Sequence, residues 1–123
     1  MEKIFKSAVV GMGGIGHQPA PCTQHDPQAE LVAACDLKKQ KADDAAEKFK
    51  VPAFYSLKEM LLAQPEIEVV HVTTSGFENG SWHFVPAMEA LDAGKHVLVE
   101  KPISNNIEEA RQLVDFAPRK DLY

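Results

Sequence analysis

A glycine-rich turn set between two apolar runs is the feature that most constrains the fold of this 123-residue chain. The turn, residues 11–16 (Gly-Met-Gly-Gly-Ile-Gly), directly follows the apolar residues 8–10, and a second apolar run ends at Asp36. Glycine adopts backbone conformations that other residues avoid and lets a neighbouring chain approach closely. The pattern therefore predicts a strand, a tight turn, the start of a helix and a second strand.

The rest of the chain continues this alternation of short apolar runs and longer helical patterns. Nearly continuous apolar strands between helices are typical of a parallel sheet covered on both faces, and right-handed crossovers favour a doubly wound sheet. We predict one α/β domain over residues 1–123, with the Rossmann fold. The predicted strands are 5–10, 30–35, 67–73 and 96–99, with 53–54 as an edge strand, and the predicted helices are 38–49, 56–63, 81–93 and 105–116.

Prolines interrupt the segment where the first helix belongs. Pro19 inside a running helix would lose a hydrogen bond and collide with the preceding turn, whereas a first helical turn tolerates proline. We therefore expect a helix that starts late or is broken between His17 and Pro21, and that ends before Pro27.

Two later helices carry clearer signals. Ser56 is expected to cap the helix at 56–63, with Glu59 completing a capping box. The helix at 81–93 is expected to place an apolar stripe on the core, formed by Phe84, Val85, Met88 and Leu91.

The glycine turn predicts a dinucleotide site. A strand, a G-x-G-x-x-G turn and a carboxylate after the next strand form the full dinucleotide-binding pattern. Amides at the helix start would meet the pyrophosphate charge. A P-loop would need Lys and Ser or Thr after the last glycine, where His17 and Gln18 stand, and a methyl-donor loop would have an acid at Val9. The predicted loop contacts are Gly11, Met12, Gly13, Gly14, Ile15 and Gly16.

Asp36 indicates which dinucleotide the site prefers. A carboxylate there suits the two ribose hydroxyls of the adenosine half and repels a 2′-phosphate, which favours NAD over NADP. Lys38 and Lys39 lie nearby and either reduce this repulsion or simply form a solvated helix start.

The composition excludes several other classes of function. A net charge of −5 with scattered basic residues argues against nucleic-acid binding. No apolar run is long enough to span a bilayer or to form a signal peptide. The two cysteines form no disulfide framework, and no spacing of Cys and His predicts a metal site, so we expect a reduced, cytoplasmic protein.

The second half of the chain contains a more specific motif, the segment 87–104 (AMEALDAGKHVLVEKPIS). Its strand ends in Glu100-Lys101-Pro102, where the carboxyl edge of a parallel sheet would place opposite charges beside a ligand. Thr73, Thr74 and Ser75 follow the preceding strand, where a loop would pass the ribose and nicotinamide.

These motifs resemble the glucose–fructose oxidoreductase, inositol dehydrogenase and MocA (Gfo/Idh/MocA) family. The resemblance covers essentially the whole chain through the glycine turn, "VAACD", the strand into "TTS", and "AGKHVLVEKP". It implies that Lys101 lies by the nicotinamide and binds and polarises the reacting hydroxyl or carbonyl, with Glu100 supporting the nicotinamide side.

The segment after Thr73 departs from the family pattern. The family has Thr-Pro-Asn and then a His, whereas this chain has a longer loop, so Asn79 and His83 match only loosely. His83 is expected either to cap the next helix or to face the substrate as a catalytic residue. Trp82 is expected to shield the nicotinamide or to pack on the surface.

The resemblance implies the cofactor domain of an NAD(P)-dependent oxidoreductase that moves hydride between nicotinamide and a sugar- or polyol-like group. It also implies a longer, oligomeric parent whose C-terminal domain binds substrate, so we expect the present chain to be a truncated piece that binds without turnover. The alternatives are a non-catalytic regulator that senses the dinucleotide, and a stand-alone small protein whose open sheet edge is covered by dimerisation.

Overall fold

The first strand lies at the centre of a five-stranded, fully parallel sheet with the strand order β3-β2-β1-β4-β5. The computed structural model describes residues 2–13, 19–74 and 83–123. The strands are β1 (Phe5–Val10), β2 (Ala29–Cys35), β3 (Ala53–Phe54), β4 (Val69–Val72) and β5 (His96–Val99). The helices are α1 (Pro19–His25), α2 (Lys39–Phe49), α3 (Leu57–Ala63), α4 (Phe84–Asp92) and α5 (Ile107–Arg119).

Helices cover both faces of this sheet, which confirms the predicted Rossmann-type architecture. On one face, α3, α4 and α5 pack on β1, β2 and β4 through a cluster that includes Val10, Met60 and Leu91. On the other face, α1 and α2 pack on β1 and β2 around Val9 and Phe49. Alternate residues of β1 thus face opposite helix layers, as the period of a strand requires.

Capping residues explain where two helices begin. The Ser56 hydroxyl accepts a hydrogen bond from the Glu59 amide at 3.1 Å, which confirms the predicted N-cap of α3. The Asn106 side chain accepts from the amides of Glu108 and Glu109 at the start of α5. Helix α1 spans Pro19–His25 and has both prolines in its first described turn. It ends before Pro27, as the sequence predicts, whereas residues 14–18 before it lie outside the described residues.

Three elements differ from the sequence prediction. Strand β4 begins at Val69, because the amide of Ile67 instead donates to Gln64 in the turn that closes α3. Helix α5 continues through Pro118, since Phe116, Ala117 and Leu122 pack against the core. Val85 is 65% exposed, whereas the small residues Ala87 and Ala90 face the core beside Leu91.

Strands β1 and β4 are neighbours in the sheet although two other strands separate them in the chain. The crossovers from β1 and β4 therefore lead in opposite directions, and a crevice opens at the carboxyl ends of these two strands. Ligands of doubly wound folds bind at such a switch point. Among the described residues, no helix combines the length and apolar character needed to cross a bilayer.

Candidate dinucleotide-binding site

Gly11 and Thr73 directly follow β1 and β4 and contact each other at the carboxyl ends of these strands. Gly11 has a φ of 95°, and a Cβ built on it would lie 2.5 Å from the Thr74 amide nitrogen. The Thr73 hydroxyl donates to the carbonyl oxygen of Gly11 at 2.8 Å and lies 3.1 Å from that of Val10. Glycine is required at position 11 because both the backbone angle and the neighbouring main chain exclude a side chain.

The Asp36 carboxylate is fixed by two main-chain amides at the end of β2. Its Oδ2 accepts from the Met12 amide at 2.8 Å, and its Oδ1 accepts from the Lys38 amide at 2.8 Å. A carboxylate offers about four acceptor positions, so this arrangement leaves capacity for further donors such as ribose hydroxyls. Asp36, the residue predicted to bind the ribose, therefore lies beside Met12 of the glycine turn in a defined orientation.

Glu100 and Lys101 lie at the same edge of the sheet, where β5 ends. The main-chain amide of Glu100 donates to the carbonyl oxygen of Val72 at 3.0 Å. The side-chain Oε1 of Glu100 accepts a hydrogen bond from the Lys101 amide at 3.2 Å. The Lys101 side chain is exposed, and the Lys101–Pro102 peptide bond is cis. A small cleft opens here, lined by Pro19, His71, Thr73, Leu98, Val99 and Glu100.

His83 is 1% exposed and bridges two of these segments. Its Nδ1 lies 2.6 Å from the carbonyl oxygen of Pro102, and its Nε2 lies 2.7 Å from that of Thr74. Both ring nitrogens therefore face main-chain oxygens, and the catalytic role expected of His83 from the sequence stays a prediction. His83 precedes α4, but its side chain makes no capping hydrogen bond.

Burial changes the chemistry of two nearby side chains. Burial, assisted by the charge of Asp36, raises the pKa of the Cys35 thiol to about 12. Burial also lowers the pKa of His71, whose Nδ1 is enclosed without a hydrogen-bond partner among the described residues.

The structure brings most of the predicted site residues to one edge of the sheet. These are Gly11, Met12, Gly13, Asp36, Thr73, Thr74, Glu100 and Lys101. Gly14, Ile15, Gly16 and Ser75 lie outside the described residues, as do Asn79 and Trp82. No group of three or more His, Cys, Asp or Glu side chains suited to a metal ion occurs in the described part of the chain.

Two residues near the site were not singled out as site residues from the sequence. His71 could have been noticed as a polar side chain within an apolar strand. Lys41 lies near Gly13, with its Nζ 3.8 Å from a Cβ built on that glycine. Sequence spacing gave no signal for this contact, because it depends on how α2 lies against the turn.

The fold and the site together define a dinucleotide-binding Rossmann domain. The chain belongs to the Gfo/Idh/MocA oxidoreductase family, because the family model described as "Oxidoreductase family, NAD-binding Rossmann fold" matches residues 5–123. The D-glucoside 3-dehydrogenase of Escherichia coli K12 is 32% identical over 116 residues, which cover 92% of this chain and 31% of that enzyme.

Two solved structures have the same fold. The WlbA dehydrogenase of Chromobacterium violaceum, in complex with NADH and UDP-GlcNAcA, superposes with a TM-score of 0.87 at 29% identity and covers all of this chain. GenD2 from gentamicin A biosynthesis, in complex with NAD, gives a TM-score of 0.90 at 30% identity over 99% of this chain. The present chain spans 34% of each of these proteins, so it corresponds to about a third of their length.

Proposed function

We propose that this chain is the coenzyme-binding part of an NAD-dependent oxidoreductase that acts on a hydroxyl or carbonyl of a sugar- or polyol-like substrate. The observation that carries the proposal is the Asp36 carboxylate, held by the Met12 amide beside the Gly11 junction. This hydrogen bond connects Asp36, which is predicted to bind the ribose, to the glycine turn that is predicted to bind the pyrophosphate. The sugar-related names of D-glucoside 3-dehydrogenase and of the UDP-GlcNAcA complex support the substrate class.

The described residues fit a dinucleotide. Main chain of Gly11 and Thr73 meets at the base of the site. A Cβ on Gly13 would lie 3.8 Å from the Lys41 Nζ, its nearest non-neighbouring group among the described residues. Asp36 keeps unused acceptor positions for the adenosine ribose. Glu100 and Thr73 line the cleft at the carboxyl ends of β5 and β4, where the nicotinamide half would lie.

Lys101 is the residue that we expect to act on the substrate. Its exposed ammonium follows β5 at the ligand edge of the sheet, and a cation there stabilises negative charge on a carbonyl or alkoxide oxygen. Glu100 orients this segment by accepting the Lys101 amide. When bound, the nicotinamide would supply or accept the hydride.

His83 contributes by positioning rather than by contact with the substrate. Its ring connects the carbonyl oxygens of Thr74 and Pro102, and so it ties the loop after β4 to the segment that carries Lys101. This positioning role is an alternative to the catalytic role expected from the sequence.

Asp36 supports a preference for NAD. Its negative charge would lie next to a 2′-phosphate, and the two amides that hold the carboxylate prevent it from turning away. We expect NADH to bind more tightly than NADPH.

Fluorescence titration of the 123-residue chain with NADH and with NADPH tests the proposal. We expect saturable NADH binding, and Asp36→Asn should weaken it by roughly tenfold or more, because an amide cannot accept both main-chain N–H groups. Asp92→Asn is the matched control, since Asp92 is exposed on α4. Absence of saturable binding of either coenzyme to a folded wild-type chain would refute the proposal.

A second assay tests the expected absence of turnover by this chain alone. The chain is mixed with NAD and a panel of sugars and polyols, and NADH formation is followed by absorbance. Steady production of NADH would show that these residues suffice for catalysis. The regulatory alternative gains no support from the two relatives named as dehydrogenases.

A further inference from the structure

Strand β5 lies at one end of the sheet and has a single neighbouring strand, β4, among the described residues. The amides of His96 and Glu100 donate to carbonyl oxygens on the β4 side, at 2.8 and 3.0 Å. Main-chain groups of successive strand residues point to opposite sides, so those of Val97 and Val99 point away from β4. The free side of β5 is therefore formed by the amides and carbonyl groups of two residues.

One of these outward-facing groups has a partner. The Val97 amide donates to the carbonyl oxygen of Tyr123 at 2.8 Å, and the Tyr123 ring stacks on His96 with the centroids 5.7 Å apart. The Val97 carbonyl oxygen and the main-chain groups of Val99 make no hydrogen bond within the part of the chain that the structure describes. Unpaired groups along an outer strand are a template for pairing with another strand.

The side chains of β5 form a pattern that is complementary to itself. Leu98 lies between His96 and Glu100 on one face of the strand and is 60% exposed. Val97 and Val99 lie on the other face and pack against the core. An exposed apolar side chain flanked by an imidazole and a carboxylate meets matching groups when the same strand approaches in the opposite direction. The fitting occupant of the free side is therefore a second copy of this chain.

We propose that two copies of this chain pair through β5 in antiparallel orientation, with a twofold axis at Leu98, and so form one sheet that continues across both copies. In this register Val97 lies opposite Val99 of the second copy, and the two residues exchange a pair of N–H···O hydrogen bonds. The two copies of Leu98 lie opposite each other in a position without main-chain hydrogen bonds, where side chains approach most closely. His96 lies opposite Glu100 of the second copy, so an imidazole N–H meets a carboxylate.

Other antiparallel registers fit less well. A twofold axis at Val97 would set Leu98 opposite His96. An axis at Val99 would set Leu98 opposite Glu100. Either register keeps main-chain hydrogen bonds but loses both the contact between the leucines and the pairing of imidazole with carboxylate. The side chains therefore select the axis at Leu98, as side-chain patterns commonly set the register of paired strands.

Two neighbouring residues affect this pairing. Lys95 would come opposite Lys101 of the second copy, but its Nζ donates to the carbonyl oxygen of Pro65 at 2.8 Å, which holds its charge away from the pairing. Tyr123 occupies the Val97 amide in the single chain and therefore competes with the second copy. Tyr123 is itself 89% exposed, so this competitor is held weakly.

Sedimentation equilibrium of the 123-residue chain measures the dissociation constant of the dimer. We expect Leu98→Lys to weaken the dimer by about tenfold or more, because both copies lose an apolar contact and gain a like charge opposite their own. Leu62→Lys is the matched control, since Leu62 on α3 is 73% exposed and lies outside β5, and it should dimerise like wild type. Thermal unfolding verifies that each variant keeps its fold.

Two further variants test the register and the competitor. His96→Glu sets two carboxylates opposite each other and should weaken the dimer, whereas adding Glu100→His restores the complementary pair and should recover the wild-type dissociation constant to within about threefold. Deletion of Tyr123 frees the Val97 amide and should tighten the dimer by about threefold or more.

Hydrogen exchange identifies the surface that is used. The Val99 amide should exchange more slowly as the protein concentration rises through the dissociation constant, because it is bonded only in the dimer. A wild-type chain that stays monomeric at about 1 mM, a Leu98→Lys variant that dimerises like wild type, or a double variant no better than His96→Glu would overturn the inference. Coenzyme plays no part in these measurements, so their failure leaves the proposed function untouched.

Discussion

Nδ1 of His83 lies 2.6 Å from the carbonyl oxygen of Pro102 in the protein interior. The opposite nitrogen of the same ring lies 2.7 Å from the carbonyl oxygen of Thr74. A neutral imidazole carries one N–H, so both contacts are hydrogen bonds only when both nitrogens carry a proton. In either form, the buried ring lies between the segment after β4 and the segment after β5 and contacts both.

Replacing this ring should therefore destabilise the fold. We expect His83→Ala to lower the free energy of unfolding by about 2–4 kcal/mol, because it removes the ring's hydrogen bonding to buried carbonyl oxygen and opens a cavity. Urea unfolding measures the change. His25→Ala is the control, since exposed His25 makes a similar contact with the Pro21 carbonyl oxygen, and it should cost less than about 1 kcal/mol. Equal losses in the two variants would contradict the bridging role.

Gly11 and Gly94 allow a paired test of the junction between β1 and β4. Both glycines have positive φ, at 95° and 80°. A Cβ on Gly11 would lie 2.5–2.6 Å from the main chain of Thr73 and Thr74, whereas one on Gly94 would meet nothing within 4 Å. We expect Gly94→Ala to cost about 1 kcal/mol from backbone strain, and Gly11→Ala to cost at least about 3 kcal/mol or to prevent folding. Thermal and urea unfolding measure both, and similar losses would show that the close approach has no energetic weight.

His71 predicts a loss of stability in acid. Its pKa is lowered from 6.5 by burial, so the unfolded chain binds a proton more readily than the folded chain. The corresponding stability is present above pH 6.5 and is lost as the pH falls below that value. Val should fit this apolar strand, so we expect His71→Val to raise the free energy of unfolding, by about 1 kcal/mol more near pH 5.5 than near pH 8. The same gain at both pH values would show that protonation of His71 does not matter.

The two cysteines should differ sharply in reactivity. Cys22 is exposed, whereas burial raises the pKa of Cys35 to about 12, so its thiol stays protonated and enclosed. We expect the native chain to react with one equivalent of Ellman's reagent near pH 8, because the thiolate is the reactive form. Cys35→Ala should react like wild type, and Cys22→Ser should react only after unfolding. Rapid reaction of folded Cys22→Ser would show that Cys35 is accessible.

Sequence patterns predicted the parts of the fold that local chemistry determines. The strands at 5–10 and 96–99 agree with the structure, and Ser56 caps its helix as expected, because these features depend on neighbouring residues. The spacing along the sequence also correctly predicted that Asp36 lies near the glycine turn, because both directly follow adjacent strands of one sheet.

Features that depend on packing between distant segments were not predictable in this way. Val85 was expected in the core, but in the structure it is exposed, and Ala87 and Ala90 are buried instead. The position of Lys41 over Gly13 and the burial of His83 between two carbonyl oxygens likewise require three-dimensional placement of separate loops. A polar residue type alone does not reveal whether it meets a ligand or the protein's own backbone.

The close approach of Gly11 to Thr74 has a consequence for engineering coenzyme preference. Because a side chain on Gly11 would collide with the main chain of Thr73 and Thr74, its substitution changes whether the chain folds before it changes what the chain recognises. Libraries aimed at switching the coenzyme would therefore leave residues 11, 73 and 74 untouched and randomise the rim, beginning with Asp36 and Lys41.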